Sequence, residues 1–387
     1  MNILFCVQNY YPALSLGGRV TQTVALAEGL AALGHEVTVL TSSVLDLDSR
    51  PAIRGCSEMH NGVQVYYAGT WLRYRTTSFN PGAFSYCLLR LSNFDVIHVM
   101  GMYDSVGVIA MFLAGLKGTP YVLEPAGMLL PVLRSFHKKA IYHLLVGRRM
   151  VSGAARLIAT SDHESEDIVR YGVARPRVLV RRHGVNLEEF NELPTRGFLR
   201  QELGLSPDTH IILFLGRISP MKQLDILIQA FAALDINEAF LLIAGPDEGD
   251  GYKESLEHVV SATGVSDRIR FLGPLYGTEK LQALVDADQL VMSSHSESWG
   301  HAGAEAIAAG TPVIVTDKCG LATYVRDRVG LVVAADVLSI SDAMRRLIVD
   351  RPLYEKFKRN TIDVSGDLSW DEPVRLMEKL YKESLQR

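Results

Sequence analysis

The segment that most constrains the fold of this chain is the stretch 289–317. It begins with the apolar run QLVM, continues through small and polar residues into an alanine-rich segment, and ends with the apolar run VIVT after Gly310-Thr311-Pro312. This order predicts a strand, a loop, a helix, a turn and a second strand, because alanine favours helices whereas glycine and proline end them. Two strands joined in this way are typical of a parallel sheet with helices on its faces.

The loop within this stretch has the properties of an anion site. The first backbone N–H groups of a helix have no partner within the helix, and Gly300 and Gly303 would let an anion approach the backbone closely. Glu297 on the loop and Glu305 about two turns into the helix would flank that site, where carboxylates can accept hydrogen bonds from hydroxyl groups. A phosphate next to hydroxyl groups predicts a nucleotide sugar, although either glutamate alone is more often an ordinary solvated residue.

Apolar runs of strand length alternate with helical segments along the rest of the chain. The first unit consists of the strand NILFCV, a loop with Gly17 and Gly18, an amphipathic helix and the strand GHEVTVLTS. The alternation predicts an α/β fold with doubly wound parallel sheets, and the absence of GxGxxG argues against a dinucleotide cofactor. Apolar periodicity is lost around residues 186–209, so we predict a first domain over 1–190 and a second domain from 191 onward.

Composition narrows the class of protein further. Of the 387 residues, 48% are hydrophobic and 21% are charged, as expected for a globular protein. The four cysteines form no CxxC pair, so we expect a reduced chain without a zinc site. The chain begins directly with an apolar strand and has no apolar run of membrane-spanning length, so we expect a cytoplasmic protein.

Two patterns occur together in the second half of the chain. Glu297 and Glu305 form Glu-x7-Glu ahead of AxxAGTPVIVTD. Arg217 and Lys222 form Gly-Arg-x4-Lys directly after an apolar strand. With these patterns the chain resembles glycosyltransferase family 4, whose members are retaining enzymes of the GT-B fold.

The resemblance implies an architecture. In the GT-B fold, two Rossmann-like domains with doubly wound parallel sheets face a cleft. Residues 1–190 would form the acceptor-binding domain, and residues 191–367 would form the domain that binds the nucleotide-sugar donor. The last amphipathic helix, about residues 368–387, would cross back to the first domain.

The resemblance also implies roles for individual residues. Arg217 offers planar bidentate donors and Lys222 a point charge, and fixed cations can stabilise a leaving diphosphate as a divalent metal otherwise would. Glu305 would accept hydrogen bonds from the ribose hydroxyls, and Glu297 would contact the transferred sugar. Further implied contacts are Gly17, Gly18, Gly300, His301 and Ala302 for the phosphates and Leu275 for the base. In the family's front-side displacement the leaving phosphate accepts the proton of the acceptor, so no side chain serves as nucleophile or base.

The chain departs from the family pattern at several positions. Gln223 stands where the family commonly has glycine, and Ala126 stands where it often has a histidine that approaches the donor sugar. Residues 183–186 read His-Gly-Val-Asn instead of Asn-Gly-Val-Asp. His98, at the end of the strand DVIHVMG, matches a family histidine that is either structural or close to the substrate.

Metal-binding alternatives are weak. Asp46-Leu47-Asp48 and Asp286-Ala287-Asp288 match the DxD pattern by which another glycosyltransferase class holds a metal ion, but neither stands in the expected setting. The eleven histidines show no metal-ligand spacing. We therefore predict no metal and no cofactor, with a nucleotide diphosphate sugar as co-substrate.

Residues 134–149, RSFHKKAIYHLLVGRR, mix basic and apolar side chains. The pattern is typical of a helix on an anionic membrane surface, which would make the protein peripheral on the inner face of a membrane. It is equally typical of a domain helix whose apolar face lies in the core. No longer basic stripe with interleaved aromatics is present, so nucleic-acid binding is disfavoured.

Together these patterns predict a retaining, metal-independent hexosyltransferase. It would move a hexose-type sugar from a nucleotide diphosphate sugar to a hydroxyl of a glycan that is lipid-linked or part of a surface polysaccharide. Two alternatives stay open. One is a nucleotide-sugar epimerase of the same fold, which would need acid and base side chains at the sugar. The other is a non-catalytic sugar-nucleotide-binding subunit of a polysaccharide-assembly complex.

Overall fold

The computed structural model describes residues 1–13, 18–44, 52–53, 55–74, 77–129 and 140–385. The chain divides into two compact units. Unit 1 comprises Met1–Gly184 and Trp370–Arg387, and unit 2 comprises Val185–Ser369. The boundary after residue 190 that we predicted from the sequence therefore lies six residues too late.

This shift arises because the segment predicted as a connection packs into unit 2. The backbone N–H of Val185 donates to the carbonyl of Leu368 at 2.7 Å. Phe190 and Leu199 bury their side chains in the core of unit 2. Single apolar anchors within short turns produce no periodic pattern, which explains why the sequence looks like a linker there.

Unit 1 contains an eight-stranded sheet and a separate two-stranded hairpin. The sheet strands are β1 (Asn2–Val7), β2 (Glu36–Ser42), β3 (Cys56–His60), β4 (Val63–Ala68), β7 (Val96–Met100), β8 (Tyr121–Glu124), β9 (Arg156–Ala159) and β10 (Val178–Val180), and the hairpin strands are β5 (Leu72–Tyr74) and β6 (Thr77–Phe79). Their order in the sheet is β10-β9-β8-β7-β1-β2-β4-β3. Neighbours are parallel except β3, which is antiparallel to β4.

Helices cover both faces of this sheet. They are α1 (Gly18–Ala32), α2 (Pro81–Arg90), α3 (Ser105–Lys117), α4 (Arg148–Gly153, after a π-helical turn at His143–Gly147), α5 (Asp162–Arg170) and α14 (Asp371–Leu385). Ile3 and Phe5 of β1 pack with α1 and α14, whereas Leu4 and Cys6 pack with α2 to α5. The C-terminal helix therefore belongs to the first unit, as predicted.

Unit 2 contains a six-stranded, wholly parallel sheet. Its strands are β11 (His210–Leu215), β12 (Ala239–Ala244), β13 (Ile269–Gly273), β14 (Gln289–Met292), β15 (Val313–Thr316) and β16 (Gly330–Val333). Its helices are α6 (Phe198–Glu202), α7 (Leu224–Ala232), α8 (Tyr252–Ala262), α9 (Gly277–Asp286), α10 (His301–Ala308), α11 (Ala322–Val325), α12 (Val337–Val349) and α13 (Arg351–Val364). The predicted doubly wound architecture is confirmed in both units.

The strand order of unit 2 locates its ligand-binding edge. The order is β13-β12-β11-β14-β15-β16, so the direction of winding changes between β11 and β14. In open α/β sheets, ligands bind outside the carboxyl ends of the strands at such a switch point. The loops that follow β11 and β14 carry Arg217, Lys222 and Glu297, the residues predicted to be catalytic.

Strand β3 and the β5–β6 hairpin were not predicted. Most of β3 is exposed at the edge of the sheet, and its sequence CSEMH has no alternation of apolar and polar residues. An edge strand with solvent on both faces needs no such pattern, so periodicity could not reveal it. No helix in the described residues is long and apolar enough to cross a membrane.

Candidate active site

A close backbone contact directs the loop after β11. Gly245 follows β12 with φ +149°, and a Cβ atom there would lie 1.8 Å from the carbonyl oxygen of Gly216. Gly216, with φ +152°, follows β11 and precedes Arg217. Only glycine tolerates such an approach of two backbones. The two glycines thereby fix the path of the backbone that positions Arg217.

This contact makes Gly245 sensitive to substitution. We expect Gly245→Ala to lower the free energy of unfolding of unit 2 by about 3 kcal/mol, because the methyl group must displace the backbone of Gly216. Gly249→Ala is the matched control, since its φ is +65° and its Cβ would meet nothing within 4 Å. Backbone strain alone should make the control cost about 1 kcal/mol. Urea unfolding followed by circular dichroism measures both losses, and equal losses would contradict the role of the contact.

Arg217 reaches outward from this loop. Its side chain is 62% exposed, and one guanidinium N–H donates to Oε1 of Glu248 at 2.6 Å. Glu248 lies in the loop after β12, three residues after Gly245. Exposed ion pairs contribute little to stability, so the Arg217 guanidinium can exchange this partner at small cost.

Lys222 and Glu297 form an ion pair through Nζ and Oε2. The loops that carry them are tied together, because Oγ of Ser293 donates to the carbonyl of Lys222 at 2.7 Å. In addition, the N–H of His295 donates to the carbonyl of Met221 at 2.9 Å. Both side chains of the pair are less than a fifth exposed, at 18% and 17%. The partly buried setting makes the charge of Lys222 more effective toward an anion than that of a solvated lysine.

The backbone at Gln223 adopts a conformation that suits the glycine common at this position in the family. Gln223 adopts φ +48° and ψ +47° at the start of α7, in the left-handed region. Glycine enters this region freely, whereas other residues pay roughly 1–2 kcal/mol. The glycine that is common in the family suits this conformation, and the present chain keeps the conformation with a glutamine.

Packing accounts for both glycines at the start of α10. A Cβ atom at Gly300, where φ is +110°, would lie 2.8 Å from Sγ of Cys319, and one at Gly303 would lie 2.8 Å from Cδ2 of Leu321. The role of both glycines in the approach of an anion stays a prediction, and packing is a second reason for them. Buried side chains beneath the helix require their small size.

The first turn of α10 nevertheless has its N–H groups at the switch-point edge of the sheet. His301 and Ala302 belong to this turn and are half-buried. The first N–H groups of a helix have no partner within it and favour anions. Leu275, predicted to lie near a base, follows β13 and packs with Ala302 against the core of unit 2.

Glu305 is held by a lysine that the sequence did not single out. Nζ of Lys280, on α9, lies 2.9 Å from Oε1 of Glu305 and 3.7 Å from Oε2 of Glu189. Burial raises the pKa of the Glu305 carboxyl, and the positive charge of Lys280 opposes that rise. Lys280 thus offsets part of the cost of placing a carboxylate in an otherwise small and apolar helix.

His98 belongs to a buried ionic network in unit 1. Its Nδ1 lies 2.6 Å from the hydroxyl of Tyr381, and its Nε2 lies 3.3 Å from Oε2 of Glu124. Arg181 donates to the same carboxylate oxygen at 2.6 Å. His98, Glu124 and Arg181 are fully buried, so of the two roles left open for His98 the structure supports the structural one.

The buried environment determines which side chains of this network are charged. Burial lowers the pKa of His98, so the imidazole is neutral near pH 7. Burial alone would raise the pKa of Glu124, but Arg181 and His98 hold it well below its usual range. The network therefore contains one ion pair with a neutral histidine beside it.

Two other positions singled out in unit 1, Gly18 and Ala126, follow strands of its sheet. Gly18 begins α1, and Gly17 lies outside the described residues. Ala126 follows β8 with φ +52°, and the N–H of Gly127 donates to Oε1 of Glu164 at 2.6 Å. Ala126, which stands where the family often has histidine, thus adopts a left-handed backbone conformation that glycine favours.

The Asp-x-Asp pattern at residues 286 to 288 has a structural role. Asp286 accepts hydrogen bonds from the N–H groups of Leu199 and Arg200, at 2.6 and 3.2 Å. Asp288 pairs with Arg200 at 2.7 Å. Asp46 and Asp48 lie outside the described residues. Among the residues that the structure covers, no cluster of three or more His, Cys, Asp or Glu could hold a metal ion.

Comparison with known proteins identifies the family. Residues 195–364 match the family described as Glycosyl transferases group 1, and residues 17–184 match the family described as Glycosyl transferase 4-like domain. A D-inositol 3-phosphate glycosyltransferase 2 from Catenulispora acidiphila is 30% identical over 401 residues, which cover 96% of this chain and 91% of that protein. The chain is a group 1 glycosyltransferase.

Two further likenesses refine the comparison. A D-inositol 3-phosphate glycosyltransferase from Actinosynnema mirum is 36% identical to this glycosyltransferase over 244 residues, covering 60% of this chain and only 58% of that protein. The Anabaena protein HepE, solved in complex with UDP-glucose, has a TM-score of 0.77 at 18% identity, with 100% and 99% of the two chains covered. The structural likeness supports the GT-B fold for this glycosyltransferase.

In this glycosyltransferase, unit 2 brings together three pairs of a cation and a carboxylate. They are Arg217 with Glu248, Lys222 with Glu297, and Lys280 with Glu305. Sequence reasoning found one partner of the first and third pairs and missed Glu248 and Lys280. The position of Glu248 after β12 was a usable signal, because the carboxyl ends of parallel strands meet at one edge. A lone lysine on an amphipathic helix such as α9 offers no comparable signal.

Proposed function

We propose that this glycosyltransferase moves a hexose-type sugar from a nucleotide diphosphate sugar to a sugar hydroxyl with retention of configuration. The observation that carries the proposal is the partly buried Lys222–Glu297 pair at the switch point of unit 2, with Arg217 on the same loop as the lysine. A cation next to a carboxylate suits a ligand in which a phosphate is joined directly to a sugar. The diphosphate contacts Lys222 and Arg217, and the sugar hydroxyls contact Glu297.

The remaining donor contacts follow from the same placement. Glu305, which is paired with Lys280, accepts hydrogen bonds from the ribose hydroxyls. The N–H groups of the first turn of α10 bind the diphosphate. The base lies against Leu275. A UDP-sugar is the first donor to test, since HepE was solved with UDP-glucose.

The reaction needs no protein nucleophile. The bond between the anomeric carbon and the diphosphate oxygen breaks, and the bond to the acceptor hydroxyl oxygen forms on the same face of the sugar. The acceptor proton passes to the departing phosphate oxygen. Lys222 and Arg217 stabilise the negative charge that develops on the diphosphate, so the proposal includes transfer without a metal ion.

The acceptor is proposed at the level of chemical class. A glycan hydroxyl, lipid-linked or on a surface polysaccharide, fits the family, and the relatives named above are called inositol 3-phosphate glycosyltransferases. A panel of both kinds of acceptor, assayed with the donor whose base has been identified, separates them. Epimerised donor formed without any acceptor would instead indicate an epimerase. Tight donor binding without turnover on any acceptor would indicate a non-catalytic subunit.

Calorimetric binding of UDP, GDP and ADP tests the donor site. With EDTA present throughout, we expect one diphosphate to bind to the wild type. We expect Glu305→Ala to raise its Kd by about ten- to hundredfold, the value of hydrogen bonds to a charged group. Glu254→Ala, which removes an exposed acid from α8, is the control and should leave the Kd unchanged.

Each result of this experiment has a defined meaning. Binding of none of the three diphosphates to folded protein would contradict the proposed donor site. Binding that EDTA abolishes would contradict the proposed metal independence. Equal affinity of Glu305→Ala and Glu254→Ala would remove Glu305 from the site.

A further inference from the structure

Large apolar side chains are exposed on two neighbouring helices of unit 1. Phe84 and Leu88 lie one turn apart on α2, and Phe112 and Leu116 lie one turn apart on α3. All four are exposed, Leu116 at 82%. Other residues of both helices already pack into the core of the unit. These four residues are therefore surplus to the packing of the domain, and such patches mark interaction sites.

The two helices run side by side in the same direction, so the four residues share one surface. The two helices begin close together: Oγ of Ser105 donates to the carbonyl of Ser78 at 2.9 Å and accepts from the N–H of Asn80 at 3.2 Å. At the end, Nζ of Lys117 donates to the carbonyl of Leu88 at 2.5 Å. We call this the helix-layer surface: Phe84, Leu88, Phe112 and Leu116, with Arg90 and Lys117 at its end.

Other elements of unit 1 also expose large apolar side chains. The hairpin before α2 exposes Trp71, Leu72 and Phe79, and Ser78 ties it to the start of α3. The helical segment before α4 exposes Leu144 and Leu145 by about 60% each. Within the described part of 134–149, Val146 packs against the core whereas Leu144 and Leu145 are exposed, so both readings of this segment stay open.

Acidic residues are scarce in the part of the sequence that contains α2 and α3. In the 103 residues between Glu58 and Asp162 the sequence has only three acidic residues, Asp95, Asp104 and Glu124. Asp104 and Glu124 are buried, and Asp95 lies at the start of β7, where it accepts from the N–H of Asn2. The whole chain has 43 acidic residues in 387, so the same length would contain about eleven at the average frequency. An apolar surface without acids and with basic residues suits an anionic partner.

We propose that the helix-layer surface rests on an anionic lipid bilayer. The apolar side chains enter the boundary between headgroups and acyl chains, while Arg90 and Lys117 contact lipid phosphates. A second copy of this chain fits less well, because α2 and α3 carry no acidic residue with which the basic residues of a partner copy could pair. The proposal is independent of sugar transfer, since lipid binding can be measured without donor or acceptor.

Vesicle sedimentation tests this surface. We expect the wild-type protein to bind vesicles of phosphatidylcholine and phosphatidylglycerol in equal amounts, to bind phosphatidylcholine alone weakly, and to be released by salt. Leu88→Glu/Leu116→Glu should lower the partition coefficient at least about tenfold, because two apolar contacts are lost and two negative charges are added. The control Leu338→Glu/Ile362→Glu adds the same charge at exposed positions of unit 2 and should bind nearly as the wild type does.

Circular dichroism shows whether Leu88→Glu/Leu116→Glu is folded. If it is not, a second variant tests the proposal. Arg90→Gln removes one charge and no apolar group, and should weaken binding to the mixed vesicles alone by about fivefold. Three outcomes would overturn the proposal: a wild-type protein that does not bind the mixed vesicles, equal losses in the two double variants, or a wild-type dimer that Leu88→Glu/Leu116→Glu makes monomeric. The last outcome would assign the surface to a second copy.

Discussion

Lys222→Ala is expected to lower kcat/KM for sugar transfer by about 10²- to 10³-fold, with most of the loss in kcat. Negative charge grows on the diphosphate as the sugar bond breaks, and a partly buried cation stabilises that charge more in the transition state than in the bound donor. Initial rates over a range of donor concentrations measure both parameters.

Lys253→Ala is the matched control for this prediction. Lys253 lies on α8 and pairs with Glu257 at 3.9 Å on the surface of unit 2, so its loss should leave both parameters unchanged. A folded Lys222→Ala protein that transfers sugar at the wild-type rate would refute the assigned role. A raised KM with normal kcat would reduce Lys222 to a ground-state contact with the donor.

Arg181→Ala is expected to lower the free energy of unfolding by about 3–5 kcal/mol, the cost of leaving one charge of a buried pair without its partner. The side chains of Arg181 and Glu124 have no exposed surface, and their charged atoms lie 2.6 Å apart. Urea unfolding measures the loss, and hydrogen exchange of the amides in β7, β8 and α14 locates it in unit 1.

The loss of unfolding free energy in Arg181→Ala should depend on pH. In the wild type the pKa of Glu124 is lowered in the folded state, so its contribution is present above the unfolded pKa and is lost as the pH falls through the folded one. In Arg181→Ala the unpaired carboxyl instead favours its protonated form, because burial raises its pKa. We therefore expect the difference in unfolding free energy between wild type and variant to shrink as the pH is lowered.

Arg182 is the control, since it follows Arg181 directly but forms an exposed pair with Asp162 at 3.0 Å. Arg182→Ala should cost at most about 1 kcal/mol. Arg181→Met/Glu124→Leu, which removes both charges, should regain most of the stability. Equal costs for Arg181→Ala and Arg182→Ala would show that the buried network does not stabilise unit 1 as described.

Local sequence patterns were sufficient to predict most strands of the two sheets. Runs such as NILFCV and HIILFL became β1 and β11 because a strand buried on both faces must be apolar along its whole length. The same local information missed β3 and the β5–β6 hairpin, where solvent replaces a buried face. Local patterns also made the residues after Gly184 look like a linker, because isolated buried residues such as Phe190 produce no periodic pattern.

The sequence by itself determined the α/β class, the two-unit organisation and the family, because strand spacing, Glu297–Glu305 and Arg217–Lys222 are short-range patterns within one chain segment each. Only the tertiary structure decided the partners: Glu248 for Arg217, Lys280 for Glu305, and Tyr381 for His98. Those residues are separated by 31, 25 and 283 positions. They meet because parallel strands align their carboxyl ends and a C-terminal helix returns to the first unit, and no local pattern encodes which side chains such long-range packing brings into contact.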